Sequence, residues 1–329
     1  MSASDPRVGD LSEGAILRGI LERLGASHAP VGPGDDAAVL DAPDARVVAT
    51  VDTLVHGPDF RLAWSSGFDL GWKAAAVNLA DVAAMGAVPT ALLVALAMPE
   101  DMRLSFVTSL ADGLRAACDE LAPGCAVEGG DLTVSDTLTI AVTALGSLHG
   151  IPPVRRSGAR PGDVLAVAGT LGRAARGLGL LFARFTDASG EPVPIDAVLL
   201  TEEERADVAV QLRPAPPVGL GPVAARAGAT AMMDVSDGLV LDASRLADAS
   251  GVTVEVDSAA LGPDPASTLT GGEDHALLAT FPSGAALPDG FRALGRIIAR
   301  STDAVLIDGH PHDGAGGWDP YRDWDAGRG

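Results

Sequence analysis

Lysine is almost missing from this sequence. Lys73 stands alone beside 22 arginines. That excludes a phosphate-binding Gly-Lys-Ser/Thr loop, because Ala74 follows Lys73. It also excludes a protein-kinase catalytic set, for which Gly71-Trp72-Lys73 is the wrong setting. Cysteine is equally sparse. Cys118 and Cys125 are too few for a disulfide framework or a zinc site, so free thiols in a reducing compartment are expected. The longest apolar run, 91–98, is far short of the roughly 20 residues that span a bilayer. Residues 1–30 carry no apolar leader segment. A soluble, cytoplasmic protein is expected. The six histidines are scattered, with no His-Glu-x-x-His, and no Gly-x-Ser-x-Gly elbow occurs. Positive charge is the last shortage. Against 23 basic residues stand 44 acidic ones, a net charge of −21. Such a field repels nucleic acid and anionic membranes, so neither is expected as a partner. A chain this acidic that handled phosphates would need metal cations between itself and them.

Apolar residues make up 47% of the 329 positions, enough for a packed core in one large or two ordinary domains. The clearest break is His149-Gly150-Ile151-Pro152-Pro153, which can be neither helix nor central strand. The reading is therefore two domains, 1–150 and 151–329. In the first, strands are expected at 46–51, 91–98 and 137–148, and helices at 70–85 and 104–121. A further short strand is expected at 37–40. In the second, strands are expected at 163–168, 229–233, 252–256 and 275–281, and helices at 172–185 and 239–249. The mixture implies α/β and α+β architecture.

The aspartates are the informative residues. Asp35 and Asp36 follow Gly32-Pro33-Gly34, and Asp52 ends an expected strand. Asp131 follows Gly129-Gly130, Asp234 ends another strand with Asp237 close behind, and Glu273-Asp274 follows Gly271-Gly272. One such residue is an ordinary turn or helix cap. Six such sites together suggest carboxylates gathered around magnesium, which bridges oxygen ligands to substrate phosphates. The helix at 74–85 is apolar except for Asn78 and Asp81, which share a face. They are either buried hydrogen-bonders or a metal-ligand face. Trp318, Tyr321 and Trp324 crowd the tail and either dock it or stack against a flat heterocycle.

These segments resemble the thiamine-monophosphate kinases. The resemblance rests on Gly34-Asp35-Asp36, Val51-Asp52-Thr53, Lys73 through Gly86, Gly129-Gly130-Asp131, Arg156 through Asp163, Asp234-Val235-Ser236-Asp237-Gly238 and Gly271-Gly272-Glu273-Asp274, in that order. It implies an N-terminal domain whose sheet pairs across a homodimer into a β-barrel, and an α+β C-terminal domain. It implies transfer of the ATP γ-phosphoryl group to thiamine monophosphate. By the same resemblance Asp36, Thr50, Val51, Asp52, Asp81, Asp131, Asp234 and Asp237 match magnesium positions. Of these, Asp52, Asp81, Asp131 and Asp234 are expected at the reacting centre. Gly130, Arg156 and Ser236 match ATP contacts; Glu273 and Trp318 match substrate contacts. Asp59 stands where the family often has histidine in a substrate-contacting segment. Two other readings remain open: an aminoimidazole-ribotide synthetase-like ligase, and a non-catalytic thiamine-phosphate binder.

Overall fold

The computed structural model describes residues 5–33, 37–314 and 316–318. The first half contains α1 (Glu13–Leu24), β1 (Val48–Val55), α2 (Gly67–Ala84), β2 (Val88–Met98), α3 (Leu104–Leu121), β3 (Ala126–Val134) and β4 (Thr139–Ser147). Its four strands form one sheet in the order β1-β4-β2-β3. The second half contains β5 (Val164–Ala168), α4 (Arg173–Arg184), α5 (Glu202–Leu212), α6 (Leu220–Arg226), β6 (Ala231–Val235), α7 (Leu239–Ser250) and β7 (Val252–Val256). After these come α8 (Pro265–Thr270), β8 (Ala276–Phe281), β9 (Phe291–Ala299), β10 (Val305–Ile307) and β11 (His310–Pro311). They build a seven-stranded sheet in the order β11-β10-β7-β9-β5-β8-β6.

The central element is α2. It is apolar nearly all round, and such a helix must be buried on every side. Ser66 and Asp69 close a capping box at its start, and Gly86 (φ +77°) turns the chain away after its end. One side crosses α3 at very short range. A Cβ on Gly71 would lie 1.9 Å from the Leu110 carbonyl oxygen, and one on Gly113 would lie 2.1 Å from that of Phe68. Another side packs on β1 and β4, and α2 also reaches β6 and β8 of the second sheet. The Trp72 indole donates to the Pro214 carbonyl at 2.8 Å, which fixes α2 to the second half. Cys118 and Cys125 are both free and buried.

Three sequence expectations need correction. The strand expected at 46–51 runs on to Val55, so Asp52 lies mid-strand, paired with Val142. Its backbone amide also bonds the Asn78 side chain at 3.1 Å. Gly129-Gly130-Asp131 is not a turn but part of β3, parallel to β2. Residues 37–40 form no strand; Val39 makes an isolated bridge with Val31.

Among the described residues, only one face of the first sheet is covered. The row through Asp52 continues to Val142, Val94 and Gly130, and Val142 is buried on the helix side. The next row, Thr53, Ala141, Ala95 and Asp131, points the other way. That second face is open: Val51 is 60% exposed, and Thr53, Ala95 and Asp131 are exposed beside it.

Candidate active site

A cavity of about 800 Å³ lies between the two sheets. One part of its wall is acidic, with Asp52, Asp81, Asp234 and Asp237. Each comes from a different local device. Asp52 projects from β1 toward α2. Asp81 meets it from the helix, where the Thr50 hydroxyl donates to its carboxylate at 2.8 Å. Asn78 does not join them. Its amide donates to the Ala74 carbonyl at 2.9 Å while its oxygen holds the Asp52 amide. Asn78 is thus a buried hydrogen-bonder, whereas Asp81 lines the cavity. Burial, with Asp234 and Asp52 nearby, pushes the Asp81 carboxyl up to about 7. Burial raises Asp52 as well, with Asp234 and Asp237 adding to it.

Asp234 and Asp237 bracket the turn leaving β6. Asp242 on α7 organises that turn: its fully buried carboxylate accepts from the amides of Ser236, Asp237 and Gly238 at 3.0, 2.9 and 3.2 Å. Burial raises Asp242 to about 6 against those bonds. Arg245 reaches both Asp237 and Asp242. The buried His275 ring meets Asp234 at 3.1 Å. Burial disfavours the imidazolium, but the bond to Asp234 and its charge outweigh that and raise the ring's pKa.

The Gly-Gly-Glu-Asp segment folds onto the same turn. The Glu273 amide donates to the Ser236 carbonyl at 2.7 Å, and the His275 amide to Val235 at 3.1 Å. Gly272 is required by close approach, since a Cβ there would lie 2.2 Å from the Ser236 carbonyl oxygen. Glu273 and His275 themselves adopt positive φ, 66° and 53°, a strained backbone of the kind held at functional sites. Its two acids then separate. Glu273 faces the cavity and pairs with Lys73 at 3.1 Å. Asp274 instead accepts from the Thr170 hydroxyl and the Arg173 and Ala174 amides, capping α4.

The remaining wall is apolar and aromatic. Trp64 and Phe182 meet edge to face with ring centroids 5.0 Å apart, beside Phe60, Leu178 and Leu181. Asp59 enters between these parts; its carboxylate accepts from the Val55 amide at 2.7 Å, and burial raises its pKa. Arg156, Ser236 and Trp318 also line the cavity, and the Trp318 amide donates to the Asp237 carbonyl at 2.9 Å. Trp318 is thus held here through its backbone and lines the cavity.

Four expected residues lie elsewhere. Thr50 borders a smaller neighbouring cavity with Asp81 and Asp234. The Val51 side chain is on the open face of the first sheet. Gly130 and Asp131 sit on β3, three strand spacings from β1, about 14 Å at ~4.8 Å each. Asp36 lies outside the described residues, as do Tyr321 and Trp324. Sequence reading missed Asp242, Gln211, His275 and the Trp64–Phe182 wall. Among the described residues no three His, Cys, Asp or Glu side chains are gathered closely enough to hold one ion. The acidic wall is therefore not a closed protein cage. It suits magnesium, which keeps waters and takes one or two carboxylates plus phosphate oxygens.

Comparison with known proteins agrees with this architecture. Residues 34–148 match the family model of the AIR synthase related protein N-terminal domain, and 160–287 match that of its C-terminal domain. A thiamine-monophosphate kinase of Mycobacterium tuberculosis H37Rv is 38% identical, covering 99% of this chain and 96% of the relative. The crystal structure of thiamine-monophosphate kinase from Stenotrophomonas maltophilia K279a superposes with a TM-score of 0.75 at 35% identity, covering 91% of this chain and 98% of that one. AaThiL complexed with AMPPCP and TMP superposes with a TM-score of 0.73 at 30% identity, covering 95% and 99%. The chain belongs to the thiamine-monophosphate kinase family.

Proposed function

We propose that this protein transfers the γ-phosphoryl group of ATP to thiamine monophosphate, giving thiamine diphosphate. The observation that carries the reading is one cavity with an acidic and arginine-bearing wall beside an aromatic wall. The first suits magnesium-bridged phosphates, the second a flat heterocycle. The acceptor is itself a phosphate whose second pKa is about 6, so it is an oxyanion at neutral pH and needs no general base. What remains is to align two polyanions inside a protein of charge −21.

Asp52, Asp81, Asp234 and Asp237 would hold magnesium, joined by Thr50, the Val51 backbone and Asp36. Magnesium, when bound, neutralises phosphate charge as it develops. Arg156 and Ser236 meet the nucleotide phosphates. Glu273, Asp59 and Trp318 meet the thiamine portion. His275 fixes the orientation of Asp234, and Asp242 holds the turn that presents Asp234, Ser236 and Asp237. The working form is a cytoplasmic homodimer in which the open sheet face closes against a second copy. In that arrangement Asp131, carried on the open face, is brought against the second copy rather than against Asp52 of its own sheet. The test is magnesium-dependent ATP turnover with thiamine monophosphate, set against aminoimidazole precursors. Turnover only with the precursors favours the ligase reading; binding without turnover favours the non-catalytic one.

A further inference from the structure

At the middle of the cavity wall, Lys73, Glu273 and Gln211 form a chain of polar contacts. The Lys73 ammonium bonds one oxygen of Glu273 at 3.1 Å, and the Gln211 amide nitrogen donates to the other oxygen. Burial pushes the Glu273 carboxyl up, but Lys73 and the Gln211 bond outweigh it and hold its pKa below the ordinary value. An ionised carboxylate can only accept hydrogen bonds. Gln211 must therefore turn its NH₂ to Glu273, and the amide cannot flip. Its Oε1 is left with a fixed direction. Among the described residues that oxygen has no hydrogen-bond partner, although Gln211 is only 5% exposed. The side chain lines the cavity near Leu212 and Leu178. Its helix is rigidly held, because one turn earlier Asp207 ties α5 to α4 through Arg173 and Arg176. A buried acceptor left unmade is costly and calls for an explanation.

We propose that Gln211 is a specificity residue: its Oε1 accepts a hydrogen bond from the exocyclic amino group of the substrate's aminopyrimidine. Lys73 and Glu273 act as positioning residues that lock the amide for this purpose. A ring bearing a carbonyl in place of the amino group would set acceptor against acceptor. Sites built to receive a hydrogen bond reject such analogues strongly.

The inference rests on the thiamine-phosphate reading, and the experiment separates the two. Steady-state kinetics are measured with thiamine monophosphate and with oxythiamine monophosphate, in which the amino group is replaced by a carbonyl oxygen. The expected result for wild type is a preference of about tenfold or more in kcat/KM for the amino substrate. Gln211→Met keeps the shape and removes the acceptor. It should bring the ratio close to one through a raised KM for thiamine monophosphate, with the KM for ATP and kcat nearly unchanged. An unchanged ratio in the variant, or equal efficiency of both substrates with wild type, overturns the inference. Should Gln211→Met fail to fold, the wild-type ratio alone decides: about tenfold or more sustains it, equality overturns it. No turnover of thiamine monophosphate by wild type would overturn the broader reading instead.

Discussion

Asp81 is where burial, charge and chemistry conflict most directly. Burial and the neighbouring Asp234 and Asp52 charges push its carboxyl up to about 7, above the ordinary carboxylate range. The folded chain therefore holds a proton that the unfolded chain releases at lower pH. Between those values the folded state binds more protons, so this group's contribution to stability falls as pH rises. Asp81→Asn should make the decline in Tm between pH 4 and 7 shallower in the presence of a chelator. Magnesium should do the same to the wild type by taking the proton's place. The variant should also lose turnover by roughly two to three orders of magnitude, the scale seen when one transition-state electrostatic contact is removed. Near-normal turnover at low magnesium would remove Asp81 from the reacting centre. An unfolded variant would make it a structural hydrogen-bonder like Asn78.

At the scale of elements, the α2–α3 crossing depends on missing side chains. Gly71→Ala places a Cβ 1.9 Å from a backbone oxygen that cannot swing aside. Urea denaturation should show a loss of about 3 kcal/mol or more, the upper end of overpacking costs. Gly179→Ala on α4 is the control: among the described residues nothing lies within 4 Å of its Cβ position. It should gain about 0.5–1 kcal/mol from helix propensity and a less flexible unfolded chain. Loss of stability there, or none at Gly71, would refute the packing account. The sequence disclosed such elements unevenly. The helix at 104–121 and the strand at 252–256 were legible to the residue, because apolar spacing and flanking breakers agreed. Gly129-Gly130-Asp131 misled, since paired glycines ordinarily mark turns; here a Cβ on Gly130 would strike the Val94 carbonyl of the neighbouring strand. No rule local to β3 contains that neighbour. Helix α5 was overlooked because its face is weakly apolar, although the Thr201-x-x-Glu204 capping box was visible. With it went Gln211. Asp242 was equally illegible, because its three acceptor bonds exist only once the Asp234–Gly238 turn has folded back over α7. The acidic wall, by contrast, was readable residue by residue for Asp52, Asp81, Asp234 and Asp237.

For the molecule as a whole, the open sheet face and the distance of Asp131 from Asp52 lead to one test. Asp81→Asn and Asp131→Asn chains, each expected to be inactive, can be mixed and refolded together. If Asp131 serves the opposite subunit, half of the dimers are mixed and each carries one intact site. Activity should then return to about a quarter of the wild-type value. Recovery that stays at zero would place both residues in the same protomer's site, or outside it. A further consequence follows from the ion pair between Lys73 and Glu273, whose partners are 200 residues apart in the chain. Contacts so distant in sequence form late, because a long loop must close before they contribute. During synthesis the first half leaves the ribosome before Glu273 exists to pair with Lys73. Nucleotide-binding competence should therefore lag behind recovery of helical signal when the unfolded chain is diluted from denaturant. The lag would report the docking of the two halves, so the enzyme acquires its catalytic cleft in the last act of folding.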